Sequence, residues 1–558
     1  SEMCIRDRYN SNTLKTYRGF TMKTYKHFGV MLDCSRNGVM KPEAVKRMID
    51  CLQKMGYNAL ELYTEDTFEV EGEPYFGYLR GRYTGAELKE LDLYAAAHGI
   101  ELIPCIQTLA HFTCPVKLPR FWEITDVNDI LLIDEEKTYA FIDKLFASLA
   151  ENFTSRNVNI GMDEAHMVGL GRYLDKHGFT NRFELLERHL DKVAEIAKKY
   201  GFKPHMWSDM FFRLFRHGEY YGRGVHIPEE VRARVPENVA LTYWDYYHRE
   251  KADYDGMFES HKEFGREIWF AGGAWCWNGF APFGSYSLTT MKPAMESVAE
   301  HGIDHVMITM WGDNGKECSF FSLLPVLYSI RQYADGNFDE KRIEKGFFET
   351  FGLSYKDFMA LELPNRTKKT RDGNDVENPC KSLLFNDCFL GLFDDAMEAE
   401  GKIPYGEYAA KLAAAEERAG EYAYIFRCLS KLCSVMEIKA DLGVRTRKAY
   451  KEGNRGTLAV LAKEDYAVLP GRIKAFFDSF RELWFKENKP FGFEVQEARL
   501  GGLMLRVSSC RERLEAYLAG KIDRIEELEE KILPLNPAEK EGYLQSNNYR
   551  DIVSAGIL

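Results

Sequence analysis

The sequence predicts a (β/α)8 barrel, an α/β TIM barrel, followed by an all-helical C-terminal domain. Three observations carry that expectation. Short β-like runs alternate with amphipathic stretches from about residue 27 to about 335, the runs number eight, and beyond about residue 345 long helical patterns replace them. Strands buried on both faces and joined by helical crossovers make a parallel sheet, and eight such units close into a barrel. A doubly wound open sheet is the alternative, but no glycine-rich phosphate loop follows the first run.

The runs, in order, are Phe28–Asp33, Ala59–Tyr63, Glu101–Ile106, Val158–Met162, Pro204–Trp207, Val239–Trp244, Ile268–Ala271 and His305–Met310. Between them lie amphipathic stretches such as Glu43–Met55 and Glu87–His98, and Thr84 with Glu87 reads as a capping box opening the second. The stretch His111–Asp134, with Pro115, Pro119 and Trp122, reads as a long loop after the third strand. The catalytic barrel is expected over 25–345 and the helical domain over 346–558. Helical patterns there cover Tyr405–Ala419, Glu421–Tyr450, Arg472–Glu487 and Val495–Ile532. In the last, Leu514, Leu518, Ile522, Ile525, Leu528 and Ile532 recur at three- and four-residue steps, as on one helix face. Residues 1–24 are expected to be a disordered or non-native tail, with Met22 as the natural start.

Composition narrows the function classes. Hydrophobic residues at 45% and charged ones at 29% suit a globular chain with a sizeable core. A formal net charge of −12 favours neither nucleic acid nor an anionic membrane surface, so neither is expected as a partner. No apolar run has the length needed to span a bilayer. The 12 cysteines form no CxxC pair and no His/Cys zinc spacing, which points to free thiols in a reducing, cytoplasmic setting. No cofactor and no metal are expected. The helical domain could pair two copies into a homodimer, but nothing in the sequence requires it.

In barrels of this kind the active site lies at the C-terminal ends of the strands. Those ends carry Asp33 and Arg36, Glu65 and Asp66, Gln107 and His111, Asp163 and Glu164, Trp207 and Asp209. The later ones carry Tyr243, Trp244 and Asp245, then Trp275 and Trp277, then Trp311 and Asp313. Carboxylates and tryptophan faces with few cations suit a neutral polyhydroxylated ligand, since indoles stack on sugar C–H faces while acids and an arginine bond the hydroxyls. The centre is Asp163-Glu164, directly after a strand and behind Gly161. Consecutive strand side chains point to opposite faces, so the two acids need not play the same role.

On these residues the sequence resembles glycoside hydrolase family 20, the β-N-acetylhexosaminidases, whose fourth strand ends in Gly-x-Asp-Glu. It is similar in particular to a smaller intracellular subgroup with a helical C-terminal domain. The resemblance covers about residues 25–335. It implies that Arg36 holds the sugar O3 and O4 hydroxyls, that His111 lies near the site, and that Trp207 walls the acetamido pocket. It further implies that Tyr243 bonds the acetamido oxygen and Asp245 a distal hydroxyl. Trp311 and Asp313 stand for a Trp-x-Glu pair, with the shorter Asp in this chain, and Trp275 is a further wall. Asn159 stands where the family often has His.

The mechanism that the resemblance implies is substrate-assisted. The 2-acetamido oxygen attacks the anomeric carbon, Glu164 protonates the departing oxygen and then deprotonates the water that opens the oxazolinium intermediate. Asp163 orients the acetamido group, and two displacements retain the β configuration. The expected substrate is a small molecule or oligosaccharide with a terminal β-linked N-acetylhexosamine, cleaved from the end. Three other readings stay open: a two-carboxylate retaining β-glycosidase, a non-catalytic carbohydrate-binding barrel, and a metal-dependent hydrolase, which no HxH or HExxH spacing supports.

Overall fold

The computed structural model describes residues 24–538, 542–546 and 548–556, and the backbone of a short antiparallel ladder, Thr16–Tyr17 with Phe20–Thr21. The expected N-terminal tail, Met22 included, otherwise lies outside the described residues. Eight parallel strands close into a barrel in sequence order. They are β1 (His27–Asp33), β2 (Ala59–Tyr63), β3 (Glu101–Cys105), β4 (Asn157–Asn159), β5 (Lys203–Trp207), β6 (Ala240–Trp244), β7 (Ile268–Gly273) and β8 (His305–Met310). The open-sheet alternative is thereby excluded. Only β4 departs far from its predicted run, stopping three residues early because the chain turns left-handed at Gly161 and Met162.

Helices α1 (Pro42–Met55), α2 (Gly85–Ala97), α3 (Glu136–Asn152), α4 (Arg182–Lys199), α5 (Asp209–Phe215), α6 (Lys251–Lys262), α7 (Gly284–His301) and α8 (Leu324–Ala334) follow the strands in turn. The capping box of α2 forms as its sequence dictates. Thr84 Oγ1 accepts from the Glu87 amide at 3.1 Å, and Glu87 Oε2 accepts from the Thr84 amide at 2.8 Å. Such a cap contributes about 0.5–2 kcal/mol. The loop from His111 to Asp134 is long, as expected, and holds two 3₁₀ turns and a small hairpin, Thr125–Val127 with Ile130–Leu131.

Alternation along the strands sends every second side chain into the lumen. At its floor Trp269 is stacked on His205 (4.0 Å between ring centres, 7° between planes) and flanked by His305 and His27. Glu61 on β2 reaches His205 on β5 at 3.3 Å, and His27 on β1 reaches Glu101 on β3 at 3.0 Å. Neither pair of strands is adjacent, so these contacts cross the lumen and seal it. The open end is the other one, at the strand C-termini.

Beyond the barrel the described chain is helical to the end. Four of its helices matter below: α9 (Pro379–Phe385), α10 (Ala423–Lys439), α11 (Tyr466–Glu487) and α12 (Phe493–Leu518). The end of α11 and the link to α12 dock on the chain segment after β1, where the Lys41 amide donates to Glu487 O and the Lys489 amide to Val39 O. Two predicted helices are shorter than expected. The stretch Glu421–Tyr450 breaks between Lys439 and Leu442, and Val495–Ile532 ends at Leu518. There Gly520 adopts φ 69° and the Lys521 amide turns back to Ala516 O, a left-handed cap that only glycine takes without strain. Ile525 and Leu528 continue the apolar pattern by folding back into buried positions, so periodicity outlasts the helix.

Replacing Trp269 by Ala should empty the floor and lower stability by about 3–5 kcal/mol. Urea unfolding followed by circular dichroism would measure it, and a loss below about 1 kcal/mol would show that the lumen collapses around the gap.

Candidate active site

A cup of about 120 Å³ opens at the C-terminal ends of the strands. Seven of the ten residues expected in the site line it: Arg36, His111, Asp163, Glu164, Trp207, Trp311 and Asp313. Trp244, Tyr246, Tyr247 and Trp277 complete the wall. A larger groove of about 970 Å³ runs along α7 and the helices after the barrel, but its lining mixes lysines and arginines with glutamates and tyrosines and carries no tryptophan. The cup is therefore where the chemistry converges.

Asp163 is buried and doubly tethered. Its Oδ1 accepts from Gln107 Nε2 at 2.8 Å, and its Oδ2 lies 3.1 Å from His111 Nε2. Burial alone would raise this carboxyl, but the charge and hydrogen bond of His111, with Gln107, more than offset it and hold Asp163 below the usual carboxylate range. The same pairing acts on the ring: burial disfavours its charge, yet the Asp163 carboxylate wins and lifts His111 to about 9. Glu164 differs from its neighbour. Its side chain is 48% exposed at the mouth, with Oε2 3.9 Å from His111 Nε2.

The backbone explains the difference. Gly161, Met162 and Glu164 all have positive φ (71°, 70° and 54°), so the pair sits on a left-handed bend beyond β4 and the expected strand alternation does not apply to it. Such conformations cost roughly 1–3 kcal/mol for non-glycine residues and persist where the surroundings over-determine them. Gln107 is one determinant, accepting from the Met162 amide at 3.1 Å, and a Cβ on Gly161 would lie 2.1 Å from its Oε1. Asp209 is the other. Its Oδ2 accepts from the Glu164 amide at 3.2 Å and from Arg213 Nε at 3.1 Å. Burial, then the charge of Asp163, pushes Asp209 up to about 7 against the pull of Arg213.

Arg36 is the cation of the opposite wall. It pairs with Asp33 (3.1 Å) and Glu65 (3.1 Å) and lies 3.7 Å from Asp313, with Tyr63 and Trp311 rings about its guanidinium. Gln107 Nε2 also donates to the Tyr63 hydroxyl, which donates to Glu65, so one chain of hydrogen bonds joins Asp163 to Arg36. Trp311 is T-shaped to Tyr63 at 4.8 Å and 6.0 Å from Trp207. The indole N–H groups of Trp207 and Trp244 are buried with no hydrogen-bond partner among the described residues.

Three expected residues are not brought into the cup. On β6, Thr242 faces the lumen, bonding His205 at 3.0 Å, so alternation turns Tyr243 outward and Trp244 inward. Tyr243 packs on Phe258, His261 and Phe270, and its hydroxyl donates to Asp245 at 2.6 Å. Asp245 is fully buried, accepting from the amides of Tyr247 and His248 and pairing with the His248 ring at 2.7 Å. Trp275 backs the wall instead of forming it, stacked on Trp277 at 4.2 Å with its N–H on Tyr246 O. Tyr246 and Tyr247 take the vacated surface. Counting alternate positions back from Trp244 would have turned Tyr243 away; no periodic signal marks the two tyrosines, which follow the strand in a turn. Among the described residues no cluster of three or more His, Cys, Asp or Glu is arranged to hold a metal ion.

The pairing of His111 with Asp163 has a readable pH signature. His111 is raised and Asp163 lowered, so the pair's contribution to stability is present above the acid range of Asp163 and below about 9, and is lost as pH rises through about 9. Imidazole NMR should show His111 titrating near 9 and, in Asp163→Asn, well below that value because burial is then less opposed. An unchanged titration in the variant would contradict the pairing.

Residues 25–255 match the model of the glycosyl hydrolase family 20 catalytic domain, and residues 356–547 match that of the glycoside hydrolase 20C C-terminal domain. Among curated proteins, hexosaminidase D of Bos taurus is 25% identical over 202 residues, covering 34% of this chain and 55% of the relative. Hexosaminidase D of Homo sapiens is 25% identical over 218 residues, covering 37% and 42%. The matched part thus spans about half the length of these relatives. A family 20 exo-β-N-acetylglucosaminidase from Vibrio harveyi, solved with N-acetylglucosamine, is 14% identical with a TM-score of 0.44, covering 61% of this chain and 58% of that one. Two models from one family, placed in order along most of the sequence, give the assignment: the chain belongs to glycoside hydrolase family 20.

Proposed function

We propose that the protein is an exo-acting, retaining β-N-acetylhexosaminidase that removes terminal β-linked N-acetylglucosamine or N-acetylgalactosamine with the substrate's acetamido group as nucleophile. The observation that carries this reading is the unequal tethering of two adjacent acids. Asp163 is immobilised by Gln107 and His111, whereas Glu164 is half exposed at the mouth of an aromatic cup. Asp33 and Glu65 are paired with Arg36, and Asp313 faces it, so these acids are held against the cation that would bond sugar hydroxyls. A nucleophile carried by the substrate fits such a site, because effective molarities of placed intramolecular groups reach ~10⁵–10⁸ M.

In this reading Glu164 gives its proton to the departing oxygen while the acetamido oxygen closes on the anomeric carbon. It then takes a proton from the water that reopens the ring. Asp163, ionised beside His111, has lone pairs left to accept the acetamido N–H and offsets charge developing on the sugar. The acetamido oxygen needs a donor, and Tyr246 takes the role first expected of Tyr243. It lines the cup, and burial pushes its phenol well above the usual value, so it stays protonated. Trp207, Trp244 and Trp311 wall the N-acetyl group. A cytoplasmic setting belongs to the same proposal, supported by the free thiols of the described cysteines, all buried but Cys114.

Chromogenic β-N-acetylglucosaminide, β-N-acetylgalactosaminide and plain β-glucoside, assayed side by side, test the reading. Turnover confined to the N-acetylated pair is expected, and equal turnover of the glucoside would favour a two-carboxylate glycosidase. Tyr246→Phe should lower kcat/KM by about 10²–10³-fold, the loss seen when one preorganised donor to a developing charge is removed. Tyr243→Phe should stay within about tenfold of the parent. The reverse order would return the role to Tyr243.

A further inference from the structure

The loop after β8 carries Trp311 and Asp313 into the cup and then runs through three left-handed residues, Asn314 (φ 39°), Gly315 (φ 137°) and Lys316 (φ 55°). On its barrel side the Gly312 amide donates to Asp33 Oδ2 at 2.8 Å, Asn37 Nδ2 to Gly315 O at 3.3 Å and Cys276 Sγ to Trp311 O at 3.3 Å. On its other side the partners come from the helices beyond the barrel. Gln496 of α12, fully buried, donates to Gly315 O at 2.9 Å. Arg499, one turn on, donates to Asn314 O at 2.8 Å, to Asn314 Oδ1 at 3.0 Å and to Glu317 at 3.0 Å. Lys381 of α9, also fully buried, donates to Asn314 O at 3.1 Å and pairs with Glu317 at 2.8 Å. A Cβ on Gly315 would lie 2.7 Å from Arg499 and 3.0 Å from Gln496, so the loop is pressed against these side chains.

We propose that Gln496, Arg499 and Lys381 are positioning residues, a clamp by which the helical region sets the loop that presents Asp313 and Trp311 to the sugar. The inference rests on the functional reading above for what the loop binds, but not for the clamp itself. A buried lysine and a part-buried arginine aimed at a backbone carbonyl of one irregular loop are more than interface adhesion requires. A buried charge is costly unless fully paired, and here both cations meet Glu317 and turn a further N–H to Asn314 O, while Gln496 takes Gly315 O. Asp313 keeps its side chain 40% exposed and 3.7 Å from Arg36. Displacing it would loosen the hold on the sugar hydroxyls and leave Glu164 and Asp163, on the bend after β4, untouched.

The test uses the full chain with Gln496→Leu and Arg499→Met. Arg506→Met serves as control, since Arg506 lies on the same helix but pairs with Asp387 (2.6 Å), away from the loop. Both clamp variants should raise KM for a chromogenic N-acetylglucosaminide by about 3–10-fold with kcat within about twofold, the scale of one net hydrogen bond. Hydrogen exchange of amides 312–317 should quicken in both, and neither change is expected in Arg506→Met even where its Tm falls. Unchanged KM and unchanged exchange in the clamp variants, with only Tm lowered, would overturn the proposal. Should Arg499→Met fail to fold, Gln496→Leu, which removes one neutral amide, decides alone. If the parent hydrolyses no N-acetylhexosaminide, the functional reading falls, and the exchange of 312–317 still settles the clamp.

Discussion

The hold of Gln107 and His111 on Asp163 is the constraint from which the rest of the site follows. A carboxylate that accepts from two donors inside a protein is fixed in place and in charge, because losing either donor would leave a buried charge part-solvated. Gln107 uses its other atoms on the Met162 amide and the Tyr63 hydroxyl, so the same side chain sets the left-handed bend and links it to the Arg36 wall. With Asp163 committed and Asp209 holding the Glu164 amide, Glu164 is the acid left to face outward. Two neighbours of nearly the same chemistry thereby acquire different tasks.

The surroundings make that arrangement affordable. The sealed floor around Trp269 gives the strands a rigid base, and the aromatic wall excludes water from one side of the cup. Arg36 gathers Asp33 and Glu65 and faces Asp313, which keeps a strongly acidic mouth from repelling itself. The helical region adds a second frame, because the loop after β8 is bonded to it more heavily than to the barrel.

Most of the fold was legible in the sequence because it rests on strong periodic signals. Eight buried runs separated by amphipathic stretches leave few topologies, and the Thr84 capping box is a local signal that formed as written. What was not legible lies where the period stops. The bend at Gly161–Glu164 depends on Gln107 and Asp209, residues more than forty positions away, which no local pattern encodes. The Tyr-x-Asp motif points to Tyr243, whereas the alternation of β6 turns it outward. Apolar spacing carries the last long helix past Gly520, because it continues into a segment that folds back. The two acids that the resemblance singles out line the cup, whereas Tyr243, Asp245 and Trp275 do not.

The central claim is that the substrate, and not a protein carboxylate, supplies the attacking atom. It is tested most directly with one aryl β-glycoside bearing acetyl, fluoroacetyl, difluoroacetyl and trifluoroacetyl groups on the same amino sugar. Each fluorine drains electron density from the acyl oxygen while changing the size of the group little. The account predicts that kcat/KM falls steeply and monotonically along the series. A flat series would mean that the acyl oxygen does not attack, and would contradict the account.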